Sequence, residues 1–392
     1  MRDIQDSMSH RQKITDFTHN LYKYPACFPP SFPRTVINCF SKPDDWILDP
    51  FVGGGTSAIE SFVARRNFAG TDINELAIFS SKLKTMLLSK LEISSLDQWV
   101  RSISLERLSP DIREGDEIYF QNVPRVVGNA VRKISSAINE LPTKRLKVYA
   151  RGALLRFGQI ELEQRLTFRD FNQAERSKDP KKLLRTFKQI LNMNIQQSLN
   201  LAFEVEGGPR VFLPSCNLEL GNAAEESVLN KWNRGSKQFK LVLTSPPYPE
   251  KHILYHKWQI DGRAETRLPY WIIQSTQVEN EPFYTMASRD NPARLEIYIT
   301  NMMMAFENVN RVMEKNGIFI QVVAFSELKV QLPLYLGAMN ASGFEEIRNT
   351  HSGSYDGRLW REVPNRRWFN RVESRQLRCK EVVLFHRKSR SV

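Results

Sequence analysis

Hydrophobic and polar residues alternate with two different periods along the chain. Short apolar runs typical of buried strands occupy residues 44–50 and 67–73, and each precedes a segment with apolar residues at helical spacing, 55–66 and 74–90. This strand–helix–strand–helix order predicts an α/β fold with a parallel sheet. The order returns after residue 210, with strands predicted at 239–245, 317–325, "FEEIRNT" and "CKEVVLFHR", and helices at 294–314 and 327–343.

The middle of the chain has a different pattern. Residues 91–210 contain few strand signals and many apolar residues at helical spacing, which predicts a mainly helical insertion between segments 1–90 and 211–392. The basic residues of this insertion are Lys144, Arg145, Lys147, Arg151, Lys178, Lys181, Lys182, Arg185 and Lys188. Such a run is either a solvated helix face or a face that contacts phosphates, and both interpretations stay open.

Charge and composition narrow the class of partner. The chain has 56 Lys and Arg against 43 Asp and Glu, a formal charge of +13, which favours nucleic acid or an acidic surface. The four cysteines include no C-x-x-C pair, so neither a metal site nor a disulfide framework is expected. No apolar run approaches the roughly 18 residues of a membrane span, and no signal-peptide core is present, so a cytoplasmic protein is expected.

A glycine-rich turn, "LDPFVGGGTS" at 48–57, follows the first predicted strand and opens a helix at Thr56. Consecutive glycines let the backbone approach a ligand closely, and the helix N-terminus offers free N–H groups. Asp72, at the end of the next strand, can accept hydrogen bonds from both ribose hydroxyls. Because the lysine of a phosphate loop is absent, an adenosine cofactor without a pyrophosphate fits better than NAD. The alternative is an ordinary glycine turn.

A second motif, "TSPPY" at 244–248, ends the strand predicted to lie beside the first one. Tandem prolines make a stiff, extended turn at the carboxyl edge of the sheet, where α/β folds bind ligands. A planar base can stack on Tyr248 while the Ser245 hydroxyl and the Pro246 carbonyl hold its exocyclic amine. Acceptors for both amine hydrogens favour a tetrahedral nitrogen, whose lone pair can attack a methyl group. Methylation of cytosine C5 would need a thiolate, and no cysteine here follows a proline.

With both motifs present, the chain resembles the S-adenosylmethionine-dependent DNA amino-methyltransferases. Its Ser-Pro-Pro-Tyr form is similar to the N4-cytosine branch, whereas N6-adenine members more often carry Asp or Asn before Pro-Pro-Tyr. The resemblance covers residues 1–90 and roughly 211–392. It implies a Rossmann-like class I methyltransferase fold with a mainly parallel seven-stranded sheet, S-adenosylmethionine as cofactor, and methylation of N4 on a cytosine flipped out of duplex DNA.

The resemblance also assigns residues by position. The implied catalytic residues are Ser245, Pro246, Pro247 and Tyr248. The implied cofactor-binding residues are Tyr24, Pro25, Asp49, Phe51, Gly53, Gly55, Thr56, Asp72 and Asn222, the last in place of an Asp that contacts the adenine edge. The order of the motifs makes the helical insertion a candidate target-recognition region.

DNA contacts are predicted at two further places. Lys251 and His252 directly follow the catalytic motif, and the connection 357–380 between the last two predicted strands carries Arg361, Arg366, Arg367 and Trp368. A restriction endonuclease acting on the same site is a candidate partner, and a monomer is expected. The alternatives are N6-adenine methylation of DNA, methylation of RNA, and a nucleic-acid-binding module that keeps the cofactor fold without catalysis.

Overall fold

The computed structural model describes residues 2–9, 16–24, 29–162, 179–206, 213–233, 238–249, 258–260, 264–275, 284, 292–348, 356–370 and 375–389, without the side chains of 2, 9, 233, 259, 292, 363–370 and 375–379. The helices are α1 (Arg2–Ser9), α2 (Ser31–Phe40), α3 (Thr56–Val63), α4 (Glu75–Lys84), α5 (Lys90–Ser102), α6 (Arg125–Asn139), α7 (Lys144–Leu162), α8 (Pro180–Glu206), α9 (Glu226–Asn230), α10 (Leu268–Ile273), α11 (Pro292–Val312) and α12 (Leu328–Ala341). Short 3₁₀ helices lie at Asp116–Tyr119 and Lys231–Asn233. The strands are β1 (Trp46–Asp49), β2 (Asn67–Asp72), β3 (Cys216–Leu220), β4 (Phe239–Thr244), β5 (Trp258–Ile260), β6 (Ala264–Thr266), β7 (Met313–Val323), β8 (Phe344–Glu346), β9 (Leu359–Asn370) and β10 (Arg375–Lys388).

One large sheet carries the fold, and its strands follow the order β3-β2-β1-β4-β7-β10-β8. The first five strands in this order are parallel to their neighbours, and β10 runs antiparallel to β7 and β8. This arrangement is the Rossmann-like class I methyltransferase fold. It confirms the predicted α/β class and the placement of β4 beside β1. The carboxyl ends of β1, β2 and β4 therefore meet at one edge of the sheet.

The predicted strand count and one predicted connection are wrong. The sheet has eight strands, because β9 also pairs with β10, along the edge that faces away from β7. Segment 357–380 is therefore largely a two-stranded hairpin and not a loop. Its two strands are in register at Arg361 opposite Glu381, which brings these oppositely charged residues together at the base of the hairpin.

The central strands are buried on both faces. Leu241 and Leu243 pack with Ile37 and Ala58 of α2 and α3, whereas Val242 packs with Phe306 of α11, and all are fully inaccessible or nearly so. A strand covered by helices on both faces needs a continuous apolar run, and "LVL" supplies it. The apolar run ends at Thr244, where the strand gives way to the Ser-Pro-Pro-Tyr turn.

Between β2 and β3 the chain forms the helices α5–α8, as the periodicity predicts. Their core continues into α4 and into α10: Leu83, Leu154, Phe187 and Trp271 belong to one buried cluster. Residues far along the chain thus complete the helical layer, and α4 supports both this layer and the glycine turn. No helix within the described ranges is long and apolar enough to cross a bilayer.

Candidate active site

A buried carboxylate, Asp49, joins the two sequence motifs. Thr244 Oγ1, one residue before Ser245, donates a hydrogen bond of 2.5 Å to Asp49 Oδ1. The backbone N–H of Phe51 donates to the same oxygen at 3.1 Å, and the Ser57 hydroxyl donates to Asp49 Oδ2. Asp49 therefore fixes the end of β4 against the glycine turn and the first turn of α3. The predicted neighbourhood of the two motifs follows from this single side chain.

Two side chains of α4 hold the glycine turn by hydrogen bonds to its carbonyl groups. The Ser81 hydroxyl donates to the Gly53 carbonyl at 3.1 Å, and the buried Lys84 ammonium donates to the Gly54 carbonyl at 2.8 Å. Gly53 and Gly55 adopt φ values of +50° and +78°. The turn leads directly into the N-terminus of α3, whose first N–H groups have no acceptor within the helix and can bind a ligand.

Gly55→Ala should destabilise the protein more than Gly53→Ala. Both substitutions place a side chain in left-handed backbone, but a Cβ at Gly55 would lie 2.6 Å from Ser81 Oγ, whereas at Gly53 the nearest atom is a Tyr24 ring carbon at 3.7 Å. We expect a loss in free energy of unfolding of about 1–2 kcal/mol for Gly53→Ala and about 2–5 kcal/mol for Gly55→Ala. Urea unfolding of the two variants measures this difference, and equal losses would contradict the packing described here.

Asp72 lies at the end of β2, as predicted for a ribose-binding acid. Its carboxylate accepts the backbone N–H groups of Gly53 and Asn74, each at 2.9 Å. These bonds use two of about four acceptor positions and orient the carboxylate, which leaves acceptor capacity for hydroxyl groups. The Asn74 side chain caps α4 through Leu76 N and also binds two phenols, Tyr24 at 3.3 Å and Tyr270 at 2.8 Å. Asp72 thus lies close to the aromatic side chains of Tyr24 and Tyr270.

Asn222 follows β3, and its amide oxygen is already engaged. It accepts the Ala224 N–H at 3.0 Å and the Tyr284 hydroxyl. Both lone pairs of that oxygen are used, so only the amide NH₂ can bind a ligand. The ring of Tyr284 makes an edge contact with Phe51, with centroids 5.2 Å apart. Phe51 and Asn222, both predicted to bind the cofactor, are therefore connected through Tyr284.

The Ser-Pro-Pro-Tyr turn is fixed by hydrogen bonds from distant elements. Tyr298 of α11 donates to the Pro247 carbonyl at 2.8 Å. The Ser245 hydroxyl donates to the Tyr248 oxygen at 3.3 Å, and the Tyr248 hydroxyl donates to Glu381 Oε1 at 2.8 Å. Burial and the charge of Glu381 hold the pKa of Tyr248 well above its usual range, so the phenol stays protonated and acts as a donor.

Arg361 takes a different place from the one predicted. Its guanidinium binds Glu381 Oε2 at 2.6–2.7 Å and the Met8 carbonyl at 3.2 Å, and its side chain is 14% exposed. A guanidinium committed to a buried carboxylate is poorly placed to reach a DNA phosphate. In this structure Arg361 supports Tyr248 through Glu381, and a DNA contact by Arg361 stays a prediction.

The structure does not describe the side chains of Pro25 and of the remaining predicted DNA contacts. Pro25, Lys251 and His252 lie outside the described residues. Arg366, Arg367 and Trp368 lie on β9, and their side chains are not described. Their roles stay predictions.

Several basic residues of the insertion are structural. Arg151, 3% exposed, donates to the Ile272 carbonyl at 3.2 Å at the end of α10. Arg145 pairs with Glu92 at 2.6 Å, and the Lys188 ammonium caps a backbone carbonyl at 3.1 Å. These three side chains help to hold the helical layer together, and phosphate contacts by the other basic residues of the insertion stay a prediction.

Five residues of the site were missed by sequence reasoning: Ser81, Lys84, Tyr284, Tyr298 and Glu381. Four of them lie in segments of ordinary composition and carry no local signal. Glu381 is the exception, because it is a lone acid directly before the apolar run "VVLF" of a buried strand. An acid in that position is 4% exposed and needs a partner, which the sequence alone does not identify.

The pH dependence of stability should report on Asp49. Burial raises its pKa to about 6, although the hydrogen bonds from Ser57, Thr244 and Phe51 partly oppose this. Between about pH 4 and pH 6 the unfolded chain releases this proton before the folded chain does, so stability falls as pH rises, by about 3 kcal/mol for this group, and levels off above pH 6. Asp49→Asn should remove that part of the fall in urea unfolding series, whereas the partly buried control Asp45→Asn should not. An unchanged slope in Asp49→Asn would contradict the assignment.

The residues at the sheet edge fit the cofactor of this fold, S-adenosylmethionine. A ribose needs a fixed acceptor, which Asp72 provides, and a close backbone approach, which the glycine turn provides. Tyr24 is 8% exposed and packs over Gly53, where it can cover a bound ligand. Among these described residues we find donors, acceptors and apolar surface for an adenosine and an amino-acid moiety, and no lysine arranged for a pyrophosphate.

Comparison with known proteins agrees with this geometry. Residues 1–82, which hold the glycine turn and Asp72, match a protein-family model described as DNA methylase. Type II methyltransferase M.MvaI from Kocuria varians is 27% identical over 255 residues, which are 59% of this chain and 53% of that protein. Type II methyltransferase M.MthZI from Methanothermobacter thermautotrophicus is 40% identical over 55 residues, 14% of this chain and 16% of that protein.

These similarities support a DNA methyltransferase. The chain spans about half the length of M.MvaI, so the activity of the whole relative is carried over only as a proposal. Among solved structures, the rRNA methyltransferase AviRa from Streptomyces viridochromogenes covers 93% of this chain and 88% of its own chain at 10% identity, with a TM-score of 0.34. That similarity is too weak to bear on the substrate.

Proposed function

We propose that this chain transfers a methyl group from S-adenosylmethionine to the exocyclic N4 of cytosine in duplex DNA. The observation that carries the proposal is the contact between the two motifs. Asp49 binds Thr244 at the end of β4 and the backbone of the glycine turn, so the Ser-Pro-Pro-Tyr turn and the cofactor residues lie together at one edge of the sheet. The matches to type II methyltransferases support DNA as the substrate.

The hydrogen-bond directions at Ser245 suit an amine substrate. Its O–H points to the Tyr248 oxygen, so its lone pairs remain to accept hydrogens from a base amine. The Pro246 carbonyl is the second acceptor that we assign. Two acceptors favour a tetrahedral amine nitrogen whose lone pair is no longer delocalised into the ring. S-adenosylmethionine, when bound, supplies the electrophilic methyl group, and the amine proton passes to water.

Tyr248 is proposed to support the flipped base. Extrusion of a base from the duplex leaves its faces unstacked, and an aromatic ring can replace part of the lost stacking. Tyr248 is 9% exposed, and its hydroxyl is tied to Glu381. The ring is therefore held in a fixed orientation before any substrate arrives, which reduces the ordering that binding requires.

The helical insertion is our candidate for target recognition. A cleft of about 1040 Å³ opens between the connection 103–123, α6 and the start of α8, and its lining includes Phe120, Arg125, Lys133 and Lys181. A cleft with apolar walls and a partly basic rim can accept nucleic acid or another polar chain. We also include in the proposal a restriction endonuclease that acts on the same site.

Methyl transfer from labelled S-adenosylmethionine tests the substrate class. Purified protein is incubated with mixed-sequence duplex DNA or with structured RNA, and the label bound to nucleic acid is counted. We expect label in DNA, and a loss of about 100- to 1,000-fold in Ser245→Ala with unchanged cofactor affinity. Label in RNA alone would overturn the DNA assignment, and the absence of label in both would favour a non-catalytic binding module.

A further inference from the structure

Glu381 of β10 lies behind the catalytic turn and is not part of either sequence motif. Its Oε1 accepts the Tyr248 hydroxyl at 2.8 Å, and its Oε2 is held by Arg361 of β9 at 2.6–2.7 Å. The side chain of Glu381 is 5% exposed. One buried acid thus connects the catalytic tyrosine to the hairpin β9–β10 and, through the bond from Arg361 to the Met8 carbonyl, to α1.

The chemistry of a carboxylate fixes the direction of this hydrogen-bond chain. An ionised carboxylate only accepts hydrogen bonds, so the Tyr248 O–H must point toward Glu381. The Tyr248 oxygen then accepts the O–H of Ser245, in agreement with the contact of 3.3 Å. The Ser245 hydrogen is consequently directed away from the substrate side. What remains toward the substrate is an oxygen with lone pairs, which is what an amine donor requires.

We propose that Glu381, fixed by Arg361, is the positioning residue that makes Ser245 a hydrogen-bond acceptor for the substrate amine. The inference rests on the proposed function, because it assigns the role of Glu381 through Ser245 and Tyr248. The role proposed for Glu381 would let the site distinguish an amine from other polar groups of the base. With the hydrogen bonds from Ser245 through Tyr248 to Glu381 oriented in this way, the site favours an amine, which donates hydrogen bonds. It disfavours a carbonyl oxygen or a ring nitrogen, because these are acceptors and would need a donor from Ser245.

The substitution Glu381→Gln keeps the shape of the side chain but replaces one of its hydrogen-bond acceptors with a donor. Arg361 offers only donors, so the glutamine oxygen turns toward Arg361 and the NH₂ turns toward Tyr248. The amide then donates to the tyrosine oxygen, the Tyr248 O–H points to Ser245, and the Ser245 O–H points to the substrate amine. The side-chain volume is unchanged, yet the acceptor that the amine requires becomes a donor.

Kinetics on four proteins test this reversal: wild type, Glu381→Gln, Tyr248→Phe and the double variant. We expect kcat to fall about 10-fold in Glu381→Gln and in Tyr248→Phe, with KM for DNA and cofactor affinity within about three-fold of wild type. In the Tyr248→Phe background, Glu381→Gln should have no further effect on kcat, because the hydroxyl that connects Glu381 to Ser245 is already missing. Equal losses in both backgrounds would indicate a merely structural role, and a wild-type kcat in Glu381→Gln would overturn the proposal.

A spectroscopic measurement keeps this test independent of the substrate. Tyrosine labelled with ¹³C at Cζ gives a resonance for Tyr248 that Tyr248→Phe identifies by its absence. We expect Glu381→Gln to shift that resonance, since the phenol changes its donor partner, whereas Glu345→Gln, an exposed acid paired with Arg387, should not. An unshifted resonance overturns the proposed chain even if DNA is the right substrate. If the wild-type protein transfers no label to DNA, the proposed function is refuted. The resonance of Tyr248 still tests the hydrogen bonds from Ser245 through Tyr248 to Glu381 in that case.

Discussion

Tyr248→Ala is expected to reduce kcat for methyl transfer by at least about 100-fold while cofactor affinity changes by no more than about three-fold. The ring is assigned to the base and lies on the β4 side of the site, whereas the cofactor is assigned to Asp72 and the glycine turn. Single-turnover transfer and equilibrium titration with S-adenosylmethionine measure the two quantities. A parallel loss of both would place Tyr248 in the cofactor site.

The control for this variant is Tyr248→Phe, which keeps the ring. Because Tyr248 belongs to the buried cluster around Phe306 and Tyr335, the alanine variant also leaves a cavity, which we expect to cost about 3–5 kcal/mol in free energy of unfolding. Circular dichroism and an assay temperature well below the transition separate this loss from the catalytic one. The phenylalanine variant should keep most of the stability and about a tenth of the turnover.

Asp72→Ala is expected to weaken S-adenosylmethionine binding by at least about 100-fold, because the two charge-assisted hydrogen bonds that we propose between Asp72 and the ribose would be lost. The variant also leaves the Gly53 and Asn74 N–H groups without their carboxylate partner, which loosens the glycine turn. Isothermal titration measures the affinity. Asp45→Ala, which removes the same charge from a partly buried position just before β1, is the matched control. Affinity within a few-fold of wild type in Asp72→Ala would contradict the assigned cofactor site.

The sequence was sufficient for the parts of the fold that depend on local signals. The apolar run of β4, the glycine turn and the acid at the end of β2 are each encoded within a few residues, and the parallel order of β1, β2 and β4 follows from them. The connection of the two motifs was predicted only as a shared sheet edge. Its physical form, the Asp49 carboxylate bonded to Thr244, spans 195 residues of sequence and has no local signal.

The hairpin β9–β10 shows why other parts could not be predicted. The segment "GRLWREVPNRRWFN" is rich in arginine and contains Pro364, features that argue against a strand. The structure accommodates them because β9 is an edge strand, and Pro364 lies between Glu362 and Arg367, where the register with β10 shifts. Arg361 was assigned to DNA because a basic residue beside a tryptophan is typical of such contacts. Only the register that places it opposite Glu381 shows that the charge is already paired.

Identification of the methylated nucleoside tests the central claim most directly. Duplex DNA labelled by the wild-type protein is digested to nucleosides, and the labelled one is identified by mass spectrometry, with Ser245→Ala as the control. The account predicts N4-methylcytosine, formed at an amine held by Ser245 and Pro246. Label in N6-methyladenine would keep the amine chemistry and contradict the assigned base, and label at a ring carbon or at a ring nitrogen would contradict the account itself.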